Sequence, residues 1–501
     1  MLAKFRQFIE SRSELALFIW AAAIITGVRI AVLMVSGAEL GPDESQYWFW
    51  SQTPDFGYFS KPPMIAWAIA TTTALFGNGE WAVRLSAPIF HLGTASFLFF
   101  TTRIIADDTE NTSAPLWAGL IWLTLPGVAL SSFVMATDAP LLFFWSGALY
   151  FFAKIATENN PRLSDFCALG ACLGAGLLSK YAMIYFPIAI IVALITNQEI
   201  RARALNIKLT ASALIAALLI APNIAWNAAH DFQTVSHTAA NANWGAGLFN
   251  FGALFTFLTG QFAVAGLIPI GFLMAALANT RTRNHIHQKP ILKTLALFVL
   301  IPLIVVSIQA FISRAHANWA AAAYPALVIL MSITLTSLSA SLNANRWLKI
   351  NLAFNGLIAA AFAFLIANIG LIDAIGASAA TREIRGWRAQ TDIIAAQSEK
   401  FETIAIDDRA LMGAMLYYQR EKNLNLVAMD PNNGVDHHYE AFMAFDPNIH
   451  NDLLFVTTRG DSAHVDYRFN DIVLLARVDG VPSAPERSYH LYRISDYFGP
   501  R

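Results

Sequence analysis

Apolar blocks recur along the chain from near the N-terminus to about residue 372, parted by short polar segments. About 20 residues of helix are needed to cross roughly 30 Å of hydrocarbon. The pattern predicts membrane helices near 15–36, 82–104, 115–134, 139–156, 165–179, 181–197, 209–226, 251–278, 294–312, 319–340 and 350–372. The two flanking Lys180 are short, and half-spanning elements stay open there. The first apolar run is too long for a signal-peptide core and lacks a small-residue cleavage site, so it stays as a membrane helix. Past 372 the pattern changes to mixed, charged sequence with short apolar runs at 403–406, 424–428, 453–457 and 472–476. These read as strands, with a helix over 407–418 between the first two. The expected fold is a polytopic α-helical membrane protein of about eleven transmembrane helices with a C-terminal α/β domain. Its parts are a membrane domain over 1–375, with outward loops at 38–81, 134–139 and 227–250, and a soluble domain over 376–501.

Composition supports this. Of 501 residues, 56% are hydrophobic and 13% charged, with mean hydropathy +0.49; soluble proteins carry about 25% charged residues. A net charge of −1 gives no basic field to attract nucleic acid. Cys167 and Cys172 lie in one apolar block and read as small hydrophobes, not a disulfide.

Charge sets the orientation. With the N-terminus inside, the cytoplasmic segments hold Lys4, Arg6, Arg12, Arg103, Lys154, Arg162, Arg201, Arg203, Lys208, Arg281, Arg283, Lys289, Lys293, Arg346 and Lys349. The opposite short loops hold Lys61, Lys180 and Arg314, with Arg84 near the start of the second helix. The positive-inside rule then places the C-terminal domain outside. Acids and histidines collect on that same outer face, so chemistry is expected there.

The first outer loop reads Gly41-Pro42-Asp43-Glu44-Ser45-Gln46-Tyr47-Trp48-Phe49-Trp50, then Gly57-Tyr58-Phe59-Ser60-Lys61-Pro62-Pro63. Two adjacent acids amid aromatic surface suit sugar chemistry; the bland alternative is an interfacial loop with aromatic anchors. Asp138 stands alone between two apolar helices, where it either caps a helix or serves a site. Lys180, a lysine in an outer turn, runs against the charge bias and points to an anionic partner such as a phosphate. Arg314 suits bidentate capture of a phosphate or carboxylate. His230 and His237 join the same face; without a third ligand, a shared metal is the minority reading. In the outer domain, Asp436-His437-His438 reads as solvated and Asp407-Asp408 as a helix start.

These stretches resemble the GT-C superfamily of membrane glycosyltransferases, in the bacterial branch of aminoarabinose transferases, rhizobial lipid A and core galacturonosyltransferases, and protein O-mannosyltransferases. The resemblance rests on Pro42-Asp43-Glu44 with Tyr47-Trp48, on Gly57-Tyr58-Phe59 with Lys61-Pro62-Pro63, and on the run from Thr137 to Phe144. It continues in Leu177-Leu178-Ser179-Lys180-Tyr181, Pro222 with Trp226-Asn227, Asn318-Trp319, Gly386-Trp387-Arg388 and Ala405-Ile406-Asp407-Asp408-Arg409. It implies a bacterial inner-membrane enzyme with a periplasmic C-terminal domain. That enzyme would move a sugar from a polyprenyl-phosphate donor to lipid A or lipopolysaccharide core. The resemblance assigns the catalytic acid to Asp43 with Glu44 beside it, and donor phosphate binding to Lys61 and Lys180, which Arg314 joins by its chemistry. Tyr47, Tyr58, Asp138, His230 and His237 are the expected substrate contacts. Relatives usually carry an acid just before the lysine of the Tyr-Phe-x-Lys-Pro motif. Ser60 stands there in this chain, which weakens the case for a divalent metal without closing it; no metal ligand is assigned. The expected chemistry is an inverting displacement in which Asp43 takes the acceptor proton, in a pocket shared with Lys61. The rival readings are a protein O-glycosyltransferase, a flippase for lipid-linked sugars and a non-catalytic scaffold.

Overall fold

The computed structural model describes residues 13–106, 113–243, 249–338, 344–374, 376–430, 434–448, 452–461 and 468–499. The basic N-terminal residues Lys4, Arg6 and Arg12 and part of the 227–250 loop lie outside them. Among the described residues seven helices are long and apolar enough to cross a membrane, or eight if a pair bent by 116° at Asn197 is one span. They are Glu14–Val35, Glu80–Ala106, Asp138–Thr157, Leu209–Ala229, Pro290–Ile312, Ala317–Ser337 and Asn345–Ala367, and the bent pair is Tyr181–Thr196 with Gln198–Ala204. The other expected membrane segments appear as shorter apolar helices, for two identifiable reasons.

The 115–134 segment is broken after Ala114–Thr124, where Leu125 is extended and Pro126 starts a short second helix. A continuous helix would pair the Leu123 carbonyl with an N–H four residues on. Here the buried Arg29 guanidinium of the first span donates to that carbonyl instead. The 251–278 segment breaks at Gly266, whose φ of 86° separates Phe251–Ala265 from Leu267–Ala278. A Cβ at Gly266 would also sit 2.9 Å from Asn355 Oδ1, so only glycine fits.

The chain divides into two compact units. The first comprises Met1–Met34, Lys61–Ile65 and Arg84–Phe364; the second comprises Val35–Ser60, Ala66–Val83 and Leu365–Arg501. In the first, Ala317–Ser337 is the most enclosed span, and Trp145, Phe186 and Phe298 interlock beside it, Trp145 edge-on to Phe186 at 4.9 Å. Leu163–Ser179 and Leu209–Ala229 approach closely at Gly170 and Gly174, where added Cβ atoms would stand 2.4 Å from Ser212 O and 2.7 Å from Leu219 Cβ. Small residues four apart give membrane helices this backbone-to-backbone packing.

The second unit contains a five-stranded sheet: β1 (Thr403–Ile406), β2 (Asn425–Ala428), β3 (Asp452–Thr457), β4 (Phe469–Val478) and β5 (Tyr489–Tyr497). The order is β2-β1-β3-β5-β4, parallel through β2, β1 and β3 and antiparallel from β3 through β5 to β4. The Arg409–Tyr418 helix is the crossover between β1 and β2. One sheet face packs Ile404, Ile406, Leu454, Val456 and Leu491 against Leu411 and Met415 of that helix. Phe49, from the 38–81 loop, packs against the same core. That loop forms a helix, Pro42–Gln52, followed by another at Met64–Phe76.

Candidate active site

Two polar clusters gather the residues singled out in the sequence, one in each unit. In the second unit, Pro42 starts the Pro42–Gln52 helix, so Asp43 and Glu44 both fall in its first turn, where proline and acids are favoured. Burial then separates the two acids. Glu44 is buried, and its Oε2 accepts from the Gly41 backbone N–H at 3.1 Å, closing the helix start as a capping-box acid does. The Asp43 side chain is 64% exposed. Its Oδ1 accepts from Arg409 Nη2 at 2.9 Å, while Arg409 Nη1 donates to Gln46 Oε1 at 2.9 Å. Burial works against the Arg409 charge, yet the Asp43 carboxylate more than offsets it and raises the arginine pKa above its ordinary value. Asp408, just before Arg409, caps the Arg409–Tyr418 helix through its Oδ1 on the Leu411 N–H at 2.7 Å. Burial raises the Asp408 pKa and opposes its ionisation.

Four aromatic residues of this loop face inward. Tyr47, Trp48, Trp50 and Tyr58 are all buried. Trp50 stacks on Tyr58 at 4.7 Å, the Tyr58 hydroxyl donates to Trp50 O at 3.1 Å, and Trp48 Nε1 donates to Asn78 Oδ1 at 2.8 Å. Tyr47 and Tyr58, expected as sugar contacts, also pack around the helix that carries Asp43. His437 and His438, expected to be solvated, are largely buried instead. Burial, reinforced at His437 by Arg409, lowers their pKa values to about 4 and about 3, so both are neutral at pH 7.

In the first unit, three separate motifs converge on Asp138. Lys180 Nζ pairs with Asp138 Oδ1 at 2.8 Å, and Asn318 Nδ2 donates to Oδ2 at 3.0 Å. Asp138 opens the Asp138–Thr157 helix, and Lys180 is an extended residue between the Leu163–Ser179 helix and a 3-10 turn. Next along the chain, the Tyr181 hydroxyl donates to Asn223 Oδ1 at 2.8 Å and accepts from Asn227 Nδ2 at 3.3 Å. His230 stacks on Trp226 at 4.0 Å and its Nδ1 lies 2.8 Å from Trp226 O. His237 Nδ1 lies 3.2 Å from Asn241 Nδ2. Arg314 is exposed and Lys61 half-buried. Among the described residues no three His, Cys, Asp or Glu side chains are grouped to hold a metal ion. No step below runs through a metal.

Asn318, Gln46 and Arg409 all stand in the stretches quoted from the sequence, where nothing local assigns them a role. Their partners lie 180 and 363 or more residues away in sequence, beyond any spacing rule.

Residues 60–226 match the family model described as dolichyl-phosphate-mannose-protein mannosyltransferase. The lipid A galacturonosyltransferase RgtD of Rhizobium johnstonii is 30% identical over 437 residues, covering 86% of this chain and 88% of that protein. The crystal structure of apo ArnT from Cupriavidus metallidurans superposes with a TM-score of 0.67 at 15% identity, over 95% of this chain and 97% of that one. Its undecaprenyl phosphate-bound form gives 0.63 at 17% identity, over 97% and 99%. At those identities the likeness to ArnT is one of fold, whereas the RgtD match runs through most of both sequences. The chain belongs to the GT-C superfamily of multi-pass membrane glycosyltransferases, in the family of the rhizobial lipid A galacturonosyltransferase RgtD.

Proposed function

We propose that this glycosyltransferase moves galacturonic acid, or a closely related sugar, from a polyprenyl-phosphate donor to lipid A or lipopolysaccharide core, on the periplasmic side of the bacterial inner membrane. The similarity to RgtD over most of both chains supports the acceptor class and the uronic acid. The observation that carries the chemistry is the exposed carboxylate of Asp43, held through one oxygen by Arg409, while its neighbour Glu44 is buried and closes the helix start.

An acceptor hydroxyl oxygen attacks the anomeric carbon as the bond from that carbon to the donor phosphate breaks, with inversion. The proton passes to Asp43 acting as general base. The electron pair leaves on the polyprenyl phosphate, which needs no general acid. Lys180, with one of its three N–H donors on Asp138, has donors left for phosphate oxygens, and Lys61 and Arg314 carry further positive charge for the same group. Charge that grows on the phosphate in the transition state is what such cations stabilise best. Asp138, itself held by Asn318, keeps the Lys180 ammonium in place. Asp138, His230 and His237 remain the proposed contacts to sugar or acceptor.

The test is transfer in proteoliposomes supplied with polyprenyl-phosphate galacturonic acid and lipid A. Asp43→Asn is expected to lower kcat by about 10² to 10⁴-fold, the usual worth of a general base. Full activity in properly inserted Asp43→Asn removes the base. The family match over 60–226 favours a second reading, with protein hydroxyls as acceptors. Mass spectrometry of lipid A from a deletion strain separates the two: unchanged lipid A together with lost protein glycans supports the second. Donor movement between leaflets without transfer supports a flippase.

A further inference from the structure

We propose that Arg409 is a positioning residue for Asp43, and that the outer α/β domain thereby sets the geometry of the catalytic carboxylate. The proposal rests on the reading of Asp43 as the general base.

Asp43 alone is poorly held. It is an exposed residue in the first turn of its helix, where a short side chain has several rotamers open to it, and a base must stay within hydrogen-bond reach of the proton it takes. Arg409 removes that freedom. Its two terminal nitrogens bond to Asp43 Oδ1 and Gln46 Oε1, both at 2.9 Å. Asp43 and Gln46 are three residues apart on one helix and so neighbours on its surface. The planar guanidinium thus bridges two points of a single rigid element. Gln46 is buried, which fixes one end of the bridge.

The guanidinium is held from behind as well. Arg409 is the first residue of its helix, the Asp408 cap fixes the backbone there, and β1 ends three residues earlier. Gly413, one turn on, admits the Ser45 hydroxyl: a Cβ there would lie 2.7 Å from Ser45 Oγ and 3.0 Å from the Tyr439 hydroxyl. Phe49 packs into the sheet core below. Only one oxygen of Asp43 is engaged among the described residues, leaving Oδ2 to receive a proton. A lysine cannot replace this fork, because it offers one nitrogen where two acceptors must be spanned.

The test compares wild type, Arg409→Ala, Gln46→Ala, Asp43→Asn and the double variant Asp43→Asn with Arg409→Ala. The assay is the proteoliposome transfer of galacturonic acid from its polyprenyl phosphate to lipid A. Arg409→Ala is expected to lower kcat by about 100-fold, the scale of an ångström-level misplacement, with donor KM within about threefold. Guanidinium ion added to Arg409→Ala is expected to restore part of the loss. On the Asp43→Asn background the same substitution is expected to cost less than about threefold, because residues acting as a unit are not additive. Gln46→Ala leaves both charges in place and is expected to cost about 3- to 10-fold in kcat by loosening the fork, which keeps the proposal testable should Arg409→Ala fold poorly.

The proposal is overturned if Arg409→Ala costs as much in Asp43→Asn as in wild type, if it raises KM with kcat unchanged, or if Gln46→Ala turns over normally. Full activity of Arg409→Ala beside an impaired Asp43→Asn sinks this inference alone. Full activity of Asp43→Asn sinks the base reading from which it starts.

Discussion

Lys180 and Asp138 meet at 2.8 Å with side chains 23% and 13% exposed, so neither is fully in water nor fully out of it. An ion pair of this kind gives little net stability, since lost hydration offsets most of the attraction. A lysine held by a carboxylate that an amide in turn fixes is better explained by what its remaining donors bind. A charge-assisted hydrogen bond to phosphate is worth about 1.5–3 kcal/mol. Lys180→Ala is therefore expected to raise donor KM by roughly 10- to 100-fold, with a smaller fall in kcat, and Asn318→Ala to raise it by less. Steady-state kinetics across donor concentrations check this. Unchanged donor KM together with a lower melting temperature for Lys180→Ala would make the pair a structural contact only. The same scale explains why adjacent acids of like chemistry part ways. Nothing in the residue types separates Asp43 from Glu44; the proline one position earlier sets the helix start, and the helix start turns Glu44 inward onto Gly41.

The Pro42–Gln52 helix is the element on which the catalytic reading depends, and one of its anchors is Phe49, half-buried against Tyr439 and the sheet core of the second unit. Phe49→Ala removes an aromatic ring from that contact and is expected to destabilise the unit by about 3 kcal/mol. Because it leaves Asp43 and Arg409 unchanged, any fall in kcat would report displacement of the helix. Thermal unfolding in detergent gives the first quantity and the transfer assay the second; an unchanged melting temperature would show that the helix is held by other contacts. At this scale the sequence was readable where one local signal dominated. Each expected membrane segment corresponds to helix in the structure, and β1 and the Arg409–Tyr418 helix fall within a residue or two of expectation. The breaks at Pro126 and Gly266 were written in the sequence as a proline and a glycine, but the apolar runs continued through them and masked both. The Met64–Phe76 helix escaped notice because it is too short to span a bilayer, and β5 because Arg493 and Asp496 interrupt its apolar alternation. The Arg409 fork was illegible for another reason: it joins residues more than 360 positions apart, and no periodicity encodes such a pairing.

For the whole molecule the open quantity is orientation, and the argument for it is electrostatic. Lysine and arginine near membrane helices are retained on the cytoplasmic side, and this bias is counted over short loops. In this chain the connections containing Arg201 and Arg203, and Arg281 and Arg283, are basic, with Arg201, Arg281 and Arg283 exposed, whereas the loops expected on the other side carry the acids on which the proposed chemistry depends. A polyprenyl-phosphate donor also makes sense only away from the cytoplasm, where nucleotide sugars are absent. Replacing Cys167 and Cys172, both only partly buried, with alanine gives a background for cysteine labelling in intact cells. Arg201→Cys and Arg281→Cys are expected to resist a membrane-impermeant maleimide until the cells are opened. Lys400→Cys and Arg459→Cys, exposed in the second unit, are expected to react at once. The reverse pattern would put Asp43 and the α/β unit that holds it in the cytoplasm, on the wrong side of the membrane for lipid A, and would overturn the proposed function whatever the kinetics of the purified protein.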